Sequence, residues 1–185
     1  MFNEGWGQFD TVPVTESVME MDQTRLVTCA SGWHDFPVGQ IADLHVYPGP
    51  VKDSAGNSHV SANVNGIKIK WKDMIFQYAP EDPKRAPVIG EMWGQSLIPW
   101  GHCWFGDKNA QDDPRGGFKT EDEFLAAYDK AVEELIGLQK SRGYNAVVMT
   151  QTTDVEGELN GFFSYDRKVA KVDIAKLAEI NRKLY

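Results

Sequence analysis

The stretch APVIGEMWG at residues 86–94 constrains the fold most, because a short apolar run there leads directly into a carboxylate. Pro87, Val88 and Ile89 form a run that is too short for a helix and that ends at a glycine. Such a run is typical of a strand buried on both faces of a parallel sheet. Glu91 either faces solvent or belongs to an active site, because parallel α/β enzymes place their sites at the carboxyl edge of the sheet.

The remaining pattern alternates strands with helices, which favours parallel pairing and right-handed crossovers. Polar residues fall just after the predicted strands, as they do in a (β/α)8 barrel, and no glycine-rich phosphate motif is present. We therefore predict an α/β fold in which residues 1–185 are the C-terminal portion of a TIM barrel, comprising strands four to eight with their helices. The predicted elements are a strand stub at 1–2, strands at 25–31, 41–47, 87–89 and 146–149, and helices at 11–22, at 120–142 and after Asp173.

Residues 51–85 fit no barrel element, so we interpret them as an excursion on the loop side of the fold. Within it, residues 59–64 and 67–70 flank Asn65 and Gly66, which is the pattern of a hairpin with a two-residue turn.

Charge and composition exclude several classes of partner. The chain carries 19 Lys and Arg against 27 Asp and Glu, a formal charge of −8, which argues against nucleic acid and anionic membranes. No apolar run could span a bilayer, and the first residues lack the features of a signal peptide. The location therefore stays open between the cytoplasm, the periplasm and secretion, also for any longer protein that contains this chain. Cys29 and Cys103 have no metal-like spacing, and we predict no disulfide, metal or cofactor.

Two carboxylates are predicted to meet on one rim of the sheet. Glu4 follows the strand stub as Glu91 follows its own strand, and two carboxylates across a barrel mouth indicate glycoside hydrolysis. Asp43, His45 and Tyr47 alternate along one strand and share a face. His45 is therefore either a satisfied core residue or a ligand. Aromatic residues near Gly and Pro either fix the loops or wall a sugar pocket; they are Trp6, Trp33, Trp93, Trp100 and Trp104.

Four segments, FNEGWGQFDT, DLHVYPGP, GEMWG and TQTTDVEGELNGFFSYDRK, together resemble glycoside hydrolase family 2, the β-galactosidase, β-glucuronidase and β-mannosidase group. The resemblance implies a retaining β-glycosidase in which Glu91 is the nucleophile and Glu4 is the acid and then the base. It implies that Asn3 binds the 2-hydroxyl of the sugar and that Tyr47 donates a hydrogen bond to Glu91. The other implied substrate contacts are Trp6, His45, Trp93, Trp104 and Gln151.

The resemblance also implies a larger parent protein. The family's β-sandwich domains and first three barrel strands have no counterpart in these residues, so we expect them in the parent and expect the isolated chain to be inactive. The alternative is a non-catalytic carbohydrate-binding module or a truncated remnant of such an enzyme. Residues 150–153, Thr-Gln-Thr-Thr, depart from the Trp-Asn-Phe-like end of the last strand in the best-known members, which changes the expected sugar contacts.

Overall fold

A computed structural model describes residues 1–32, 35–46, 61–64, 67–70, 84–110 and 117–185. Their contacts divide the chain into two compact units. Unit 1 takes its described residues from 1–47, 52–92 and 138–148, and unit 2 takes its described residues from 93–137 and 149–185. No helix among these described residues has both the length and the apolar character needed to cross a membrane.

The described residues form nine strands and four helices. The strands are β1 (Phe2–Asn3), β2 (Ala30–Ser31), β3 (Ile41–Val46), β4 (Ser61–Val64), β5 (Ile67–Lys70), β6 (Ala86–Trp93), β7 (Ser96–Leu97), β8 (Gly117–Phe118) and β9 (Ala146–Thr150). The helices are α1 (Thr11–Met21), α2 (Asp107–Ala110), α3 (Glu121–Arg142) and α4 (Ile174–Arg182).

The predicted α/β class is confirmed. Strand β1 pairs with β2, β3 with β6, and β7 with β8, each in parallel. The largest sheet has the order β3-β6-β9. The predicted hairpin is present as the antiparallel pair β4 and β5, while its two turn residues lie outside the described residues.

Three local predictions were wrong. The strand expected at 25–31 is shortened to the two residues of β2. Apolar spacing predicts Val14, Val18 and Met21 as the inner face of α1, but the helix buries Thr11 and Thr15 and leaves Met21 84% exposed. The Thr15 hydroxyl donates to the Thr11 carbonyl (2.7 Å), so it can be buried without losing its hydrogen bond. The apolar run at 146–149 predicts a buried strand, but β9 lies at the end of the described strand order and its Val148 is exposed.

Unit 1 packs its small core around β3 and β6. Arg85, directly before β6, is buried and forms a bidentate pair with Asp35 (2.6 and 2.8 Å). The same guanidinium donates to the Ile41 carbonyl at the start of β3 (2.8 Å), which fixes the beginnings of both strands. The buried apolar side chains of unit 1 include Val27, Cys29, Ala30, Ala42, Leu44, Ile89 and Met92.

Unit 2 is built on an aromatic cluster against α3. Trp93 is fully buried and makes edge contacts with Phe124 and Tyr128, whose hydroxyl donates to Asn181 in α4 (2.8 Å). Such edge-to-face contacts add to the free energy gained from burial alone. Helix α3 begins with a modified capping box. The Thr120 hydroxyl accepts from the Glu123 amide (3.2 Å), and the Glu123 carboxylate accepts from the Lys119 amide (3.1 Å) instead of from the Thr120 amide.

A buried ion pair holds the loop before α4. The Lys171 ammonium contacts the Asp154 carboxylate at 2.7 Å and donates to the Leu159 carbonyl at 2.8 Å. Asp154 also accepts from the Gly161 amide (2.8 Å), and both charged side chains are 1% exposed. Because a buried charge without its partner is strongly unfavourable, this pair ties residues 154–161 to the start of α4.

We expect Lys171→Met to lower the free energy of unfolding by about 3–5 kcal/mol, because it leaves the Asp154 carboxylate buried without its cation. Lys168→Met is the matched control, since Lys168 is largely exposed and its contact with Asp166 spans 3.9 Å. Urea denaturation followed by circular dichroism measures both variants. Equal effects of the two substitutions would contradict a structural role for the buried pair.

Candidate functional site

Glu4 lies in a tight turn at the carboxyl end of β1. Its backbone has a positive φ of 51°, a conformation that L residues rarely adopt, and the Trp6 amide closes the turn on the Asn3 carbonyl (2.9 Å). The Trp6 indole donates to the Glu4 carboxylate at 3.4 Å. This strained turn holds the Glu4 side chain in a half-buried position beside an exposed indole ring.

Glu91 is placed by an irregularity in the pairing of β3 with β6. Leu44 pairs with Ile89, but the next residue, His45, pairs with Glu91, so Gly90 is an extra residue in β6. Side chains alternate between the faces of a sheet, and a regular register would put Gly90 opposite His45 and Glu91 on the other face. The bulge therefore brings the Glu91 carboxylate to the face that carries His45.

His45 joins the two glutamates. Its Nδ1 atom lies 3.4 Å from a carboxylate oxygen of Glu4 and 3.4 Å from one of Glu91, and its side chain is 1% exposed. The ligand atoms of the three residues all lie within 4.8 Å of one another. The structure thus brings both predicted catalytic carboxylates together within unit 1, around one buried imidazole.

Asp43 and two glycines fix the position of the imidazole. The Asp43 carboxylate lies 3.8 Å from His45 Nε2 and accepts from the Gly90 amide at 2.6 Å. A Cβ on Gly90 would collide with the Asp43 carboxylate, and a Cβ on Gly32 would lie 2.7 Å from His45 Cγ. Both glycines are therefore needed for the close packing of β3 in this region.

The electrostatics of the cluster are dominated by carboxylates in a partly dehydrated environment. Burial raises the pKa of Asp43, Glu91 raises it further, and His45 and the Gly90 amide act in the opposite direction. One imidazole carries at most one positive charge, whereas Glu4, Asp43 and Glu91 can carry three negative charges. The arrangement can hold a proton between carboxylates or accept a cationic centre next to them.

The other predicted site residues of unit 1 lie close to Glu4 or outside the described residues. Asn3 is exposed, and the Oδ1 atom of its side-chain amide accepts from the Ser31 hydroxyl (3.2 Å). Trp6 is 72% exposed next to the Glu4 carboxylate. Tyr47, predicted to contact Glu91, lies outside the described residues, as does Trp33.

Three predicted substrate contacts belong to unit 2. Trp93 is fully buried in the aromatic cluster, so its surroundings are those of a core residue. Gln151 donates to Asn160 (2.9 Å) and to Glu158 (3.2 Å). Trp104 is 53% exposed and packs edge-on against Tyr165. Of the two indole rings, only that of Trp104 is exposed to solvent.

Beside Trp104, unit 2 holds a polar triad that the sequence analysis did not identify. His102 Nδ1 lies 2.9 Å from the Asp166 carboxylate, which also accepts from the Ser164 hydroxyl at 2.6 Å. The Ser164 hydrogen bond, with His102 second, holds the pKa of Asp166 well below its usual range. Asp166 therefore stays ionised to low pH and orients the imidazole.

The sequence analysis also missed the roles of Gly90, Gly32 and the Asp43 carboxylate. A glycine inside a strand pattern is a recognised signal of a bulge or of close backbone approach, and Gly90 carries that signal. Asp43 was placed on the correct face by its alternation with His45, but the hydrogen bond from the Gly90 amide depends on the bulge.

A comparison of the chain with models of known protein families finds no match, and a search of curated proteins finds no similar sequence.

We expect Gly90→Ala to displace the Asp43 carboxylate and to change the environment of the His45 ring, because the new Cβ occupies the space of that carboxylate. The His45 imidazole signals in a long-range ¹H–¹⁵N NMR spectrum report its tautomer and surroundings. Gly137→Ala in α3 is the control, since a Cβ there meets nothing within 4 Å, and it should stabilise the helix by about 1 kcal/mol. Unchanged His45 signals in Gly90→Ala would contradict the packing described above.

We expect Asp166→Asn to destabilise the protein more at neutral pH than in acid. The pKa of Asp166 is lower in the folded protein than in the unfolded chain, so its contribution is present above about pH 4 and declines as the pH falls. Urea denaturation between pH 7 and pH 2.5 measures the difference. Asp122→Asn, which changes an 89% exposed side chain, is the control. A destabilisation by Asp166→Asn that is independent of pH would contradict the charge effect.

Proposed function

We propose that this chain carries the catalytic carboxylates of a retaining β-glycosidase. The observation that supports the proposal is the separation of the Glu4 and Glu91 carboxylate oxygens, which is no more than 4.8 Å. Retaining glycosidases have carboxyl groups about 5–5.5 Å apart, whereas inverting enzymes need about 6.5–9.5 Å to admit a water molecule between the sugar and the base. The short separation favours double displacement.

In the first step, the ionised Glu91 carboxylate attacks the anomeric carbon. The bond from that carbon to the leaving oxygen breaks, and protonated Glu4 gives its proton to the leaving oxygen. The product is a glycosyl ester on Glu91 and a free alcohol. The exposed side of Glu4, where the Trp6 indole lies, is the side from which we expect the leaving group to depart.

In the second step, water attacks the anomeric carbon of the glycosyl ester. Glu4, now ionised, takes the proton of that water, and the Glu91 carboxylate leaves. Both residues return to their starting protonation states, and the sugar is released with its original anomeric configuration. The acid and base roles of Glu4 require it to exchange one proton, whereas Glu91 remains a carboxylate except while esterified.

His45 acts in this proposal as a positioning residue. Its Nδ1 lies at equal distance from Glu4 and Glu91, and 3.4 Å is longer than a normal hydrogen bond, so the imidazole holds neither carboxylate tightly. Such contacts tighten when a substrate is bound. As Glu4 passes from acid to base, the imidazole can move its hydrogen bond from one carboxylate to the other without crossing a long distance.

The substrate class and the finer fold belong to the same proposal. The resemblance to glycoside hydrolase family 2 supports β-galactosides or β-glucuronides as substrates and supports assignment of the parallel strands to positions four to eight of a TIM barrel. We expect the activity in a parent protein that also contains strands one to three.

The test measures hydrolysis of 4-nitrophenyl β-galactoside and β-glucuronide by the 185-residue chain and by any longer protein that its gene encodes. We expect Glu91→Gln to abolish turnover of both. Glu4→Gln should lower turnover of the corresponding methyl β-glycosides, whose leaving group needs protonation, by about 10²–10⁴-fold and affect the 4-nitrophenyl glycosides less. Glu20→Gln, which changes an exposed glutamate of α1, is the matched control.

Covalent labelling separates catalysis from loss of folding. A 2-fluoro β-glycoside should esterify Glu91, and peptide mass spectrometry locates the adduct. Azide should restore turnover of an activated substrate by Glu91→Gly and give the α-glycosyl azide, the product of a single displacement. Labelling at another residue would remove the nucleophile assignment, and no hydrolysis or labelling in chain or parent would contradict the proposal.

The alternative is a carbohydrate-binding module without catalysis, and the exposed indole of Trp6 favours it as the specific observation. An indole face exposed beside carboxylates can stack on a sugar ring and fix its hydroxyls. Saccharide binding that is lost in Trp6→Ala but unchanged in Glu4→Gln and Glu91→Gln, together with no turnover, would favour this reading over hydrolysis.

A further inference from the structure

We propose that Glu4, His45 and Glu91 bind a zinc ion. The three residues offer one nitrogen and two carboxylate oxygens, a donor set that zinc accepts in sites with three protein ligands and one open position. Zinc binding by these residues is independent of the proposed hydrolysis. Its consequence, exclusion of the substrate from Glu91, rests on the proposed function.

The distances between the donor atoms fit a small tetrahedral ion. Zinc–nitrogen and zinc–oxygen bonds of about 2.0–2.1 Å place neighbouring ligands of a tetrahedron about 3.3–3.4 Å apart. The His45 Nδ1 atom lies 3.4 Å from an oxygen of each glutamate, so two edges of the tetrahedron are already present. The third edge, between the glutamates, is at most 4.8 Å and closes by rotation of the half-buried carboxylates.

The surroundings of His45 resemble the outer ligand sphere of a metal site. A metal-bound imidazole commonly donates its second N–H to a carboxylate, which fixes its tautomer. The Asp43 carboxylate lies 3.8 Å from that second nitrogen, Nε2, so it must approach by about 1 Å to accept such a hydrogen bond, and it is itself held by the Gly90 amide at 2.6 Å. The imidazole is buried and packed against Gly32, so Nδ1 is directed at the carboxylates by the fold.

Charge favours a divalent cation over a second proton. Three carboxylates surround one imidazole, and a zinc ion bound to neutral His45 offsets two of the negative charges at once. The exposed sides of Glu4 and Glu91, at 21% and 31%, leave an entry path and an open coordination position for water. The same open position is where the anomeric carbon of a substrate would have to approach Glu91.

The experiment measures Zn²⁺ binding to the intact chain by equilibrium dialysis at pH 7. We expect one ion per chain, with Glu4→Gln, Glu91→Gln and His45→Gln each weakening binding by about tenfold or more, and Asp43→Asn by about 10–100-fold. Glu20→Gln and His102→Gln are the controls for an exposed glutamate and for the imidazole of the Ser164–Asp166 triad. Far-ultraviolet circular dichroism identifies variants that fail to fold.

Cobalt gives a second readout that does not depend on activity. Co²⁺ in a four-coordinate site absorbs visible light strongly, and we expect that absorption in the wild type, its loss in Glu91→Gln, and its displacement by Zn²⁺. No stoichiometric binding, or binding unchanged in folded Glu4→Gln and Glu91→Gln, would overturn the zinc site. If the glycosidase is active, Zn²⁺ should raise the apparent KM and chelation should reverse it; absence of hydrolysis would refute the proposed function and leave the binding result intact.

Discussion

The pairing of His45 with Glu91 across the bulge at Gly90 is the interaction on which the candidate site depends. A parallel sheet with regular register would carry Glu91 to the face opposite His45, and the two glutamates would then be separated by the sheet. One additional residue in β6 reverses that outcome. The backbone amide of the same residue donates to Asp43. A single irregularity therefore determines the position of Glu91, the candidate nucleophile, and the position of the carboxylate next to the imidazole.

Backbone strain and close packing both occur around Glu4, His45 and Glu91 in unit 1. Glu4 has a positive φ, Gly32 lies against the His45 ring, and Gly90 lies against Asp43. Each feature lowers the stability of the fold or excludes larger side chains. Each one also allows the carboxylates and the imidazole to lie close together in a partly buried site. Arg85 compensates nearby, because its pairing with Asp35 and with the Ile41 carbonyl fixes the start of the two strands that carry the site.

Sequence periodicity was sufficient for the α/β class, the parallel pairing of β3 with β6, the hairpin of β4 and β5, and helix α3. Periodicity did not predict the bulge, because Gly90 marks a possible bulge but does not show which residue of the partner strand each neighbour pairs with. It also misjudged α1, where apolar spacing favoured Met21 as an inner residue and a hydroxyl hydrogen bond allowed Thr15 to be buried instead. Trp93 could not be assigned from sequence either, because an indole ring suits both a buried aromatic cluster and a sugar-binding surface.

The two chemistries proposed for Glu4, His45 and Glu91 have one physical origin. A retaining glycosidase needs two carboxylates close enough to act on opposite sides of one anomeric centre, where positive charge develops in the transition state. A zinc site needs donors at the corners of a small polyhedron around a permanent positive charge. The Glu4 and Glu91 carboxylate oxygens lie no more than 4.8 Å apart, with the imidazole equidistant from both, which satisfies the first demand. Rotation of the two carboxylates would satisfy the second. The rigid placement of His45 between them is therefore what makes a site for transient positive charge also attractive to a metal ion.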